Sequence, residues 1–503
     1  MNNKDEDQER TPFLDAYVEY VKSNPVCFDV PGHKRGHFIT DLSRKISPVL
    51  LDYDVNAPYG LDNLYNPKTY ILESEKLASR AFHASRCYFL VNGTTGGILT
   101  MFLSCLKSHD KVILPRNIHK SVINALILSG AVPIFINPII DEELGIAEGI
   151  TIQSIEEKIN ENPDAKAIFL INPTYYGITS NLKEIVKLAH SKNIIVMVDE
   201  AHGSNFVFSD KLPISAMDAG ADISSLSIHK NSGSLTQSSI ILTQGDRIDD
   251  FQVKKAFSML SSTSPNSLLL CSLDAARKEM AIRGKEIIDD NLKLASYARD
   301  NLKKIKGIKV IDKSYIDKMK SSGVYDIDLT KIVIDVTGLN MYGYEVYKLL
   351  RMKYNIQVEL GEVSLILILI GPGSTKEDVD KLLIALTDIS KNNEENEKID
   401  IPKFKFSYSQ SLVKPTIAFD APYKIVSIDD CIGEISVETV MAYPPGIPIL
   451  IPGEIITKDE VSLIKFYIEK GGEVLKDSDE LHMKVIDTKK WKLSEDFDNK
   501  IDI

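Results

Sequence analysis

Short apolar runs alternate with stretches of helical spacing between about residues 71 and 243. The runs are five or six residues long and rich in Val, Ile, Leu and Phe, which is typical of buried strands. Strands are predicted at Arg86–Val91, Lys111–Pro115, Val132–Asn137, Ala167–Asn172, Ile194–Asp199, Ile223–Ser227 and Ser239–Thr243. Helices are predicted to begin near Thr95, Lys120, Ile152 and Leu182. This alternation predicts an α/β fold with a mostly parallel sheet, in which the loops after the strands share one rim.

The segments on either side of this region have other patterns. Residues 11–23 have helical spacing, whereas residues 25–67 are rich in Pro, Gly and Asp and have no regular period. A long helix is predicted from about Pro265 to Lys306. A smaller α+β region follows, and residues 392–398 form a polar linker. Within the small region we predict strands at 309–312, 331–335, 356–359 and 363–370, and helices at 342–354 and 376–391.

These changes of pattern divide the chain into four predicted parts. Residues 1–70 form an N-terminal helix and an extended arm, and residues 71–300 form a large domain. Residues 301–395 form a small α+β domain, and residues 400–503 form a C-terminal α+β domain. A chain of 503 residues is long enough for several cores, so this number of domains is expected.

Composition excludes some classes of protein. The net charge of −12 argues against a nucleic-acid partner, which requires a basic surface. The most apolar run, Val363–Ile370, is too short to span a membrane, and the charged N-terminus does not resemble a secretory signal. The five cysteines include no CxxC pair, so we expect reduced thiols, no metal site and a cytoplasmic location.

Three polar motifs each follow a predicted strand. The glycine-rich run Asn92–Gly97 opens a helix, and such an N-terminus can bind a phosphate. Asp199 ends a strand, where a buried carboxylate needs a partner such as a protonated ring nitrogen. Lys230 follows the next strand and could attack a carbonyl. Each motif alone has a simpler explanation: a helix cap, an N-cap aspartate or a surface lysine. Their order favours one shared cofactor site.

The motifs together resemble the Orn/Lys/Arg decarboxylase family of fold-type I pyridoxal-phosphate (PLP) enzymes, in its short form without an N-terminal wing. The resemblance extends from about residue 12 to about residue 490. The matching runs are Pro31–Lys34, Gly60–Leu64, Asn92–Gly97, Pro115–Ser121, Asp199–Gly203, Ser227–Lys230, Leu235–Gln237, Ser261–Pro265, Tyr443–Pro448 and Pro452–Glu454. This resemblance implies that the large domain binds PLP.

Roles for individual residues follow from the resemblance. It implies that Lys230 forms a Schiff base with PLP, that Asp199 pairs with the ring nitrogen, and that His202 lies near the cofactor and the substrate carboxylate. Ala201 and His119 would lie against the two ring faces, and His119 could also act in catalysis. The residues implied to hold the phosphate are Gly93, Thr94, Thr95, Ser227, His229 and, from a neighbouring subunit, Thr263.

The implied substrate is a basic amino acid. We expect decarboxylation of arginine to agmatine and CO₂, with lysine (to cadaverine) or ornithine as alternatives. Glu454 is predicted to bind the distal cation, and Asp62 is predicted in a wall contributed by a partner subunit. Residues 359–364 are less polar than is usual in the family, which weakens the expected substrate contacts from the small domain. The missing wing favours a dimer, or a small assembly of dimers, with shared active sites.

The sequence is also compatible with two other functional classes. A fold-type I aminotransferase or carbon–sulfur lyase could share the large domain, but it would normally lack the Tyr-Pro-Pro-Gly run of the C-terminal domain. A non-catalytic regulator with the same fold would be expected to have lost Lys230 or Asp199, and both residues are present. The sequence therefore favours a PLP-dependent decarboxylase.

Overall fold

The computed structural model of the protein describes residues 7–39, 41–47, 49–393, 399, 411–443, 447–470 and 472–492. The helices are α1 Pro12–Lys22, α2 Asp41–Lys45, α3 Val49–Asp52, α4 Tyr70–Ala81, α5 Gly93–Cys105, α6 Lys120–Ser129, α7 Ile152–Glu161, α8 Leu182–Ser191, α9 Ile228–Asn231, α10 Asp250–Leu260, α11 Ser267–Leu302, α12 Ser314–Met319, α13 Gly343–Tyr354, α14 Lys376–Asn392, α15 Pro415–Asp420, α16 Lys458–Glu469 and α17 Thr488–Lys492. Short 3₁₀ helices lie at Phe206–Phe208, Lys320–Ser322 and Thr337–Leu339.

The strands are β1 Arg86–Leu90, β2 Lys111–Pro115, β3 Val132–Ile136, β4 Ile140–Asp141, β5 Ile146–Ala147, β6 Ala167–Ile171, β7 Ile178–Thr179, β8 Ile195–Asp199, β9 Ile223–Leu226, β10 Ser239–Thr243, β11 Lys309–Val310, β12 Asp326–Ile327, β13 Lys331–Asp335, β14 Leu360–Gly361, β15 Leu365–Leu369, β16 Tyr423–Ser427, β17 Val440–Tyr443, β18 Ile447–Leu450, β19 Glu473–Leu475 and β20 His482–Ile486.

The chain folds into two compact units. Unit 1 contains the described residues up to Cys105 together with Ile195–Asp289, and unit 2 contains Leu106–Ile194 together with the described residues from Asp290 onward. Each unit is thus assembled from separated stretches of chain. The four consecutive parts predicted from the sequence are a different division, and they remain a prediction.

Unit 1 contains the strands β1, β10, β9 and β8. The pair β8–β9 is parallel, whereas β10 is antiparallel to both β9 and β1. Helix α5 packs on these strands, and its apolar residues Ile98, Met101 and Phe102 are fully buried. Because β8 and β9 run in the same direction, Asp199 at the end of β8 and Lys230 just after β9 lie at the same edge of these strands.

Unit 2 contains several groups of strands, including the short pairs β4–β5 and β7–β12. Strand β2 pairs in parallel with both β3 and β6. Strands β11, β13, β15 and β14 form an antiparallel sheet, on which α13 and α14 bury a core of Ile, Val and Leu side chains. The C-terminal residues form the pair β16–β20 and the sheet β18–β17–β19, which share a separate apolar core.

The predicted strands of the large domain agree with β1, β2, β3, β6, β8, β9 and β10 to within one residue at either end. The parallel pairs and the alternating helices confirm the predicted α/β fold. The helix predicted near Thr95 begins earlier, at Gly93, and the long helix ends at Leu302 rather than near Lys306.

One predicted strand, residues 356–359, is wrong. Helix α13 ends at Tyr354. The next residue, Asn355, has a φ of +56° that turns the chain, and the N–H of Ile356 is donated back to the carbonyl of Leu350. Ladder pairing begins only at Leu360, where β14 meets β15. A helix cap therefore uses residues whose apolar character suggested a strand.

Some sequence predictions fall on residues for which no structure is given. Residues 394–398 of the predicted linker and residues 400–410 at the predicted start of the last domain lie outside the described residues. The same is true of residues 444–446, in the Tyr-Pro-Pro-Gly run.

All five cysteines lie within the described residues and carry free thiols. Burial raises the pKa of Cys105 to about 12 and that of Cys431 to about 11, so these thiols stay protonated and unreactive at neutral pH.

Among the helices that the structure describes, none combines the length and the apolar character needed to cross a bilayer.

Candidate active site

A group of hydroxyls surrounds the start of helix α5 in unit 1. The Oγ1 atom of Thr94 lies 2.7 Å from Oγ of Ser227, and it donates to Oγ of Ser239 at 3.3 Å. All three side chains are buried, whereas Thr95 is exposed on the same helical turn. A helix N-terminus with adjacent hydroxyls is suited to a phosphate, because amides and hydroxyls both donate to its oxygens. Ser239 was not predicted, and its only signal in the sequence is a polar residue that opens an apolar strand.

The glycines of this loop have different roles. Gly93 has a φ of +74°, which is a conformation that favours glycine, and its N–H is donated to the carbonyl of Gln237 at 2.9 Å. That N–H is therefore engaged, and the later amides of the first turn are the ones that could bind a phosphate. At Gly97 an added Cβ would lie 1.9 Å from Oγ of Ser225 on β9. Gly97 thus allows α5 to pack closely on the sheet.

His229 lies beside this group. Its Nδ1 is 2.8 Å from the carbonyl oxygen of Ser238, and a carbonyl can only accept, so Nδ1 carries a hydrogen. Burial lowers the pKa of His229, and the charge of Lys230 lowers it further, although the bond to Ser238 acts in the opposite direction. Nε2 is the nitrogen left for a ligand. The predicted contact between His229 and a phosphate remains a prediction.

Lys230 lies in the short helix α9, directly after β9. Its Nζ is 2.7 Å from Nε2 of His202, and Nδ2 of Asn231 donates to the carbonyl of His202 at 2.6 Å. An ammonium group can only donate, so with Lys230 charged, Nε2 of His202 is the acceptor. The imidazole is therefore placed to hold or receive a proton at the lysine nitrogen. Asn231 was not predicted, and it fixes the backbone of the residue that contacts the lysine.

Asp199 ends strand β8 and is 8% exposed. Its Oδ1 accepts the N–H of Ala201 at 3.0 Å, which orients the carboxylate at the start of the turn that leads to His202. A buried carboxylate at a strand end is stabilised by a positive partner. The protonated ring nitrogen of PLP is such a partner.

The residues of unit 1 therefore fit PLP by the chemistry of their side chains. The start of α5 and the hydroxyls of Thr94 and Ser227 suit its phosphate, and Asp199 suits its ring nitrogen. Lys230 suits its aldehyde, because a lysine amine condenses with a carbonyl. Among the residues that the structure describes, no cluster of His, Cys, Asp and Glu is arranged to hold a metal ion.

His119 lies in unit 2, where it caps the N-terminus of α6. Its Nδ1 accepts the N–H of Ser121 at 3.2 Å and lies 2.8 Å from Oγ of the same residue. Nδ1 is thus an acceptor, and in the neutral ring Nε2 carries the hydrogen. His119 is exposed, whereas the three residues before it are buried. Its predicted stacking on the cofactor remains a prediction.

Glu454, predicted to bind the substrate cation, is fully buried in unit 2. Its carboxylate forms a two-point contact with the guanidinium of Arg116, at 2.9 Å to Nε and 2.7 Å to Nη2. Oε2 also accepts the N–H of Ile451 at 2.9 Å. Three hydrogen bonds within the protein thus engage both oxygens of this carboxylate, and the predicted substrate contact remains a prediction. Arg116 belongs to the run Pro115–Ser121 that matches the family, but nothing in that run indicates that Glu454 is its partner.

Asp62, predicted in the substrate wall, lies in unit 1 and is 9% exposed. Its carboxylate accepts backbone N–H groups of Asn63, Lys68, Thr69 and Ile71 at 2.8–3.1 Å. These bonds close the loop before α4 and cap the first turn of that helix. The geometry indicates a structural role, and it gives no support to the predicted substrate contact.

Thr263 lies in the loop between α10 and α11 and is exposed, as are the adjacent residues Ser262 and Ser264. Exposure in a single chain is compatible with the predicted contact to a neighbouring subunit. That contact remains a prediction.

Comparisons with known proteins bear on this site. The sequence matches the Orn/Lys/Arg decarboxylase major domain over residues 11–378 and the C-terminal domain of the same family over residues 413–473. Arginine decarboxylase of Bacillus subtilis (strain 168) is 42% identical over 484 residues, which are 95% of this chain and 97% of that protein. Arginine decarboxylase of Halalkalibacterium halodurans is 41% identical over 461 residues, which are 91% and 93% of the two chains.

Lysine decarboxylases are less similar. The inducible lysine decarboxylase of Escherichia coli (strain K12) is 23% identical over 553 residues, which are 90% of this chain and 76% of that protein. The crystal structure of Francisella novicida lysine decarboxylase has the same fold, with a TM-score of 0.82 at 20% identity, and the match covers 95% of this chain and 81% of that one. The resemblance found in the sequence is thereby confirmed. The chain belongs to the Orn/Lys/Arg decarboxylase family.

Proposed function

We propose that this protein removes the α-carboxyl group of arginine as CO₂ and releases agmatine, with PLP as its cofactor. The observation that carries the chemistry is the close pair Lys230–His202 at the end of β9, beside Asp199 and the hydroxyls at the start of α5. The preference for arginine is supported by the relatives: those about 41% identical over most of the chain are named arginine decarboxylase, and those named lysine decarboxylase are 22–23% identical.

The chain's own residues would act in sequence. Lys230 would hold the cofactor through Nζ until the α-amine of the substrate takes its place, and His202 is placed to pass a proton through Nε2 from the substrate amine to the released lysine nitrogen. Asp199 keeps the ring nitrogen protonated. When bound, PLP supplies the electron sink for the bond that breaks between Cα and the carboxylate. Lys230 or His119 then returns a proton to Cα, and Lys230 displaces the amine product.

The test is a parallel assay of CO₂ and amine release from arginine, lysine and ornithine, with purified protein and added PLP. We expect agmatine and CO₂ in equal amounts, and a kcat/KM for arginine at least about tenfold above those for the two shorter ammonium substrates. Lys230→Ala protein is the control and should release no CO₂ above background. A preference for lysine or ornithine would contradict the substrate, and formation of keto acid or ammonia would contradict the reaction.

We also propose that the active protein is a homo-oligomer whose sites are shared between subunits. This proposal is supported by the exposure of Thr263 and its neighbours in the single chain. The cytoplasmic location remains an expectation from the sequence.

A further inference from the structure

We infer that the C-terminal part of the chain positions His119 by anchoring both ends of the segment formed by residues 116–129. We call this the His119 segment. It consists of the loop Arg116–His119 and helix α6. The inference rests on the proposed function, because the part that His119 plays in the reaction is itself proposed. It assigns a positioning role to Glu454 and Thr416.

The first anchor is at the start of the segment. The Arg116 side chain is 1% exposed and contacts Glu454 through two nitrogen atoms. Its Nη1 donates to the carbonyl of Pro448 at 3.0 Å, and its Nη2 donates to the carbonyl of Ile449 at 3.3 Å. A planar guanidinium held at several points fixes both the position and the direction of the side chain. Arg116 is also tied to β3, because its N–H is donated to the carbonyl of Ile136.

Glu454 is itself held firmly. It follows Gly453, whose φ is +95°, and a Cβ added to Gly453 would lie 1.9 Å from the carbonyl oxygen of Val413. The N–H of Gly453 is donated to the carbonyl of Ser436, and the N–H of Ser436 is donated to the carbonyl of Glu454, at 2.8 and 2.9 Å. The tight turn therefore presents the carboxylate in one place. This accounts for the Pro-Gly-Glu run, which the proposed chemistry leaves unexplained.

The second anchor is at the other end of the segment. Oγ1 of Thr416, in α15, lies 2.9 Å from the carbonyl oxygen of Ile127 and 3.2 Å from that of Leu126. The carbonyl of Leu126 also accepts the N–H of Gly130, so the shorter contact of Thr416, to Ile127, is the one that adds a donor to the last carbonyls of the helix. Helix α15 packs against α6 along this contact.

The two anchors determine the orientation of His119. Arg116, Asn117 and Ile118 are all buried, and His119 is the first exposed residue of the loop. Its ring is tied to Ser121 in the first turn of α6. The ring direction thus follows the position of the segment, and the segment is held at one end by Glu454 and at the other by Thr416. A displacement of about 1 Å in a group that acts on the substrate can lower the rate up to about a hundredfold.

The experiment compares variants of the full-length, PLP-loaded protein. Thr416→Val removes the second anchor with little change of volume, and Thr416→Ser retains the hydroxyl. Glu454→Gln weakens the first anchor. Glu438→Gln is the matched control, because Glu438 is a buried carboxylate of the same part of the chain that accepts the N–H groups of Asp477, Ser478 and Lys484.

We expect Glu454→Gln to lower kcat about tenfold or more with a KM for arginine within about twofold of wild type. Thr416→Val should lower kcat by about threefold, and Thr416→Ser should restore it. Glu438→Gln should lower thermal stability and leave kcat unchanged. The visible circular dichroism of bound PLP should change in Glu454→Gln and Thr416→Val but not in Glu438→Gln.

Three results would overturn the inference: wild-type kcat in folded Glu454→Gln protein, equal kcat in Thr416→Val and Thr416→Ser, or the same loss of kcat in Glu438→Gln. If Glu454→Gln does not fold, the two Thr416 variants decide. Failure of the proposed function has a different signature, because wild-type protein would then release no agmatine. In that case the circular dichroism of bound PLP still tests the anchors, and identical spectra in all variants would overturn the inference.

Discussion

Gly97 lies where α5 packs against β9, and a methyl group at this position has no space. An added Cβ would lie 1.9 Å from Oγ and 2.8 Å from Cβ of Ser225, and 3.0 Å from Cδ1 of Leu90. The helix would have to move away from the sheet, and its N-terminus carries the hydroxyl of Thr94. This single residue therefore connects the packing of the helix to the geometry of the phosphate site.

We predict that Gly97→Ala lowers the free energy of unfolding by about 1–3 kcal/mol and weakens PLP binding, because overpacking shifts α5. Urea unfolding and PLP titration measure the two effects. Ser225→Gly in the same protein should restore part of both losses. Gly371→Ala is the control, since nothing lies within 4 Å of a Cβ added there. Wild-type stability in Gly97→Ala would contradict this prediction, because it would mean that α5 can accept a methyl group at this position without moving.

A mutation of Asp62 can distinguish a structural role from a contact with the substrate. Its carboxylate accepts four backbone N–H groups before and within the first turn of α4. An amide side chain has one accepting oxygen, so Asn cannot replace these bonds. We predict that Asp62→Asn loses about 1–3 kcal/mol of stability while the KM for arginine stays within about twofold. A large rise in KM at unchanged stability would instead support the substrate contact predicted from the sequence.

Some site residues could be predicted from the sequence, whereas the partners of others could not. Asp199 and Lys230 could be singled out from the sequence, because one ends an apolar run and the other follows one, whereas the role of His202 was implied only by the family resemblance. The partners of Asp62 and Glu454 could not, because an acidic residue in a motif looks the same whether it binds a ligand, a backbone or a distant arginine. Arg116 and Glu454 are 338 residues apart in sequence, and only the fold brings them together.

At the scale of elements, the hairpin β4–β5 and helix α12 meet at a group of acidic side chains in unit 2. The hydroxyl of Tyr315 contacts Glu148, and it donates to Asp141 at 2.8 Å. One hydroxyl hydrogen can be donated to only one carboxyl group, so protonated Glu148 can donate to the phenol oxygen in turn. Burial raises the pKa of Glu148 from 4.5 to about 7, and the nearby charge of Asp141 adds to this, against the opposing bond to Tyr315.

The sign of the resulting pH dependence follows from this raised pKa. The folded state binds the proton on Glu148 more tightly than the unfolded state does. The contribution of this proton to the free energy of unfolding is therefore fully present below pH 4.5 and is lost as the pH rises through about 7. The shift corresponds to up to about 3 kcal/mol. Glu362 acts in the same direction, since burial raises its pKa to about 7 as well.

We predict that Glu148→Gln reduces the loss of stability between pH 5 and pH 8, because the amide needs no proton to remain uncharged. The free energy of unfolding in urea, measured at both pH values, checks this. Glu142→Gln, at an exposed position of the same hairpin, should retain the wild-type dependence. Equal slopes in wild type and Glu148→Gln would mean that Glu148 is already charged at pH 5.

Elements were predicted well where burial repeats regularly. Strands β1, β2, β6 and β8 are almost wholly buried, and their apolar runs reveal both ends. The failure at residues 356–359 has a local cause, because the left-handed Asn355 directs the next amide back to α13. Apolar character alone does not distinguish a strand from the capped end of a helix. The strand begins where pairing with β15 begins, at Leu360 opposite Leu367, and apolar character alone does not reveal this register.

At the scale of the whole molecule, the proposed oligomer places Thr263 in a neighbouring subunit's site. Such sharing cannot be read from a single chain, whose exposed residues include both solvent-facing and subunit-facing ones. Co-expression of two inactive variants can show whether Lys230 and Thr263 of one site come from the same subunit or from two different subunits. Lys230→Ala lacks the lysine but provides an intact Thr263 loop. Thr263→Asp places a negative charge against the phosphate but retains the lysine.

We predict that each variant alone is inactive and that the co-expressed mixture has about a quarter of wild-type activity. With random pairing, half of the dimers are mixed, and each mixed dimer has one native site. Agmatine release from the purified mixture measures this. No activity in the mixture, with mixed dimers shown to be present by differential tags, would place Thr263 and Lys230 in the same subunit's site.

The most direct test of the account is the location of the cofactor. PLP-loaded wild-type protein is reduced with borohydride, which makes the bond between lysine and cofactor permanent, and its peptides are analysed by mass spectrometry. We predict one modified residue, Lys230, and no modification when arginine in excess has displaced the lysine before reduction. Stable modification of a different lysine, or of none, would contradict the site described around Lys230, His202 and Asp199.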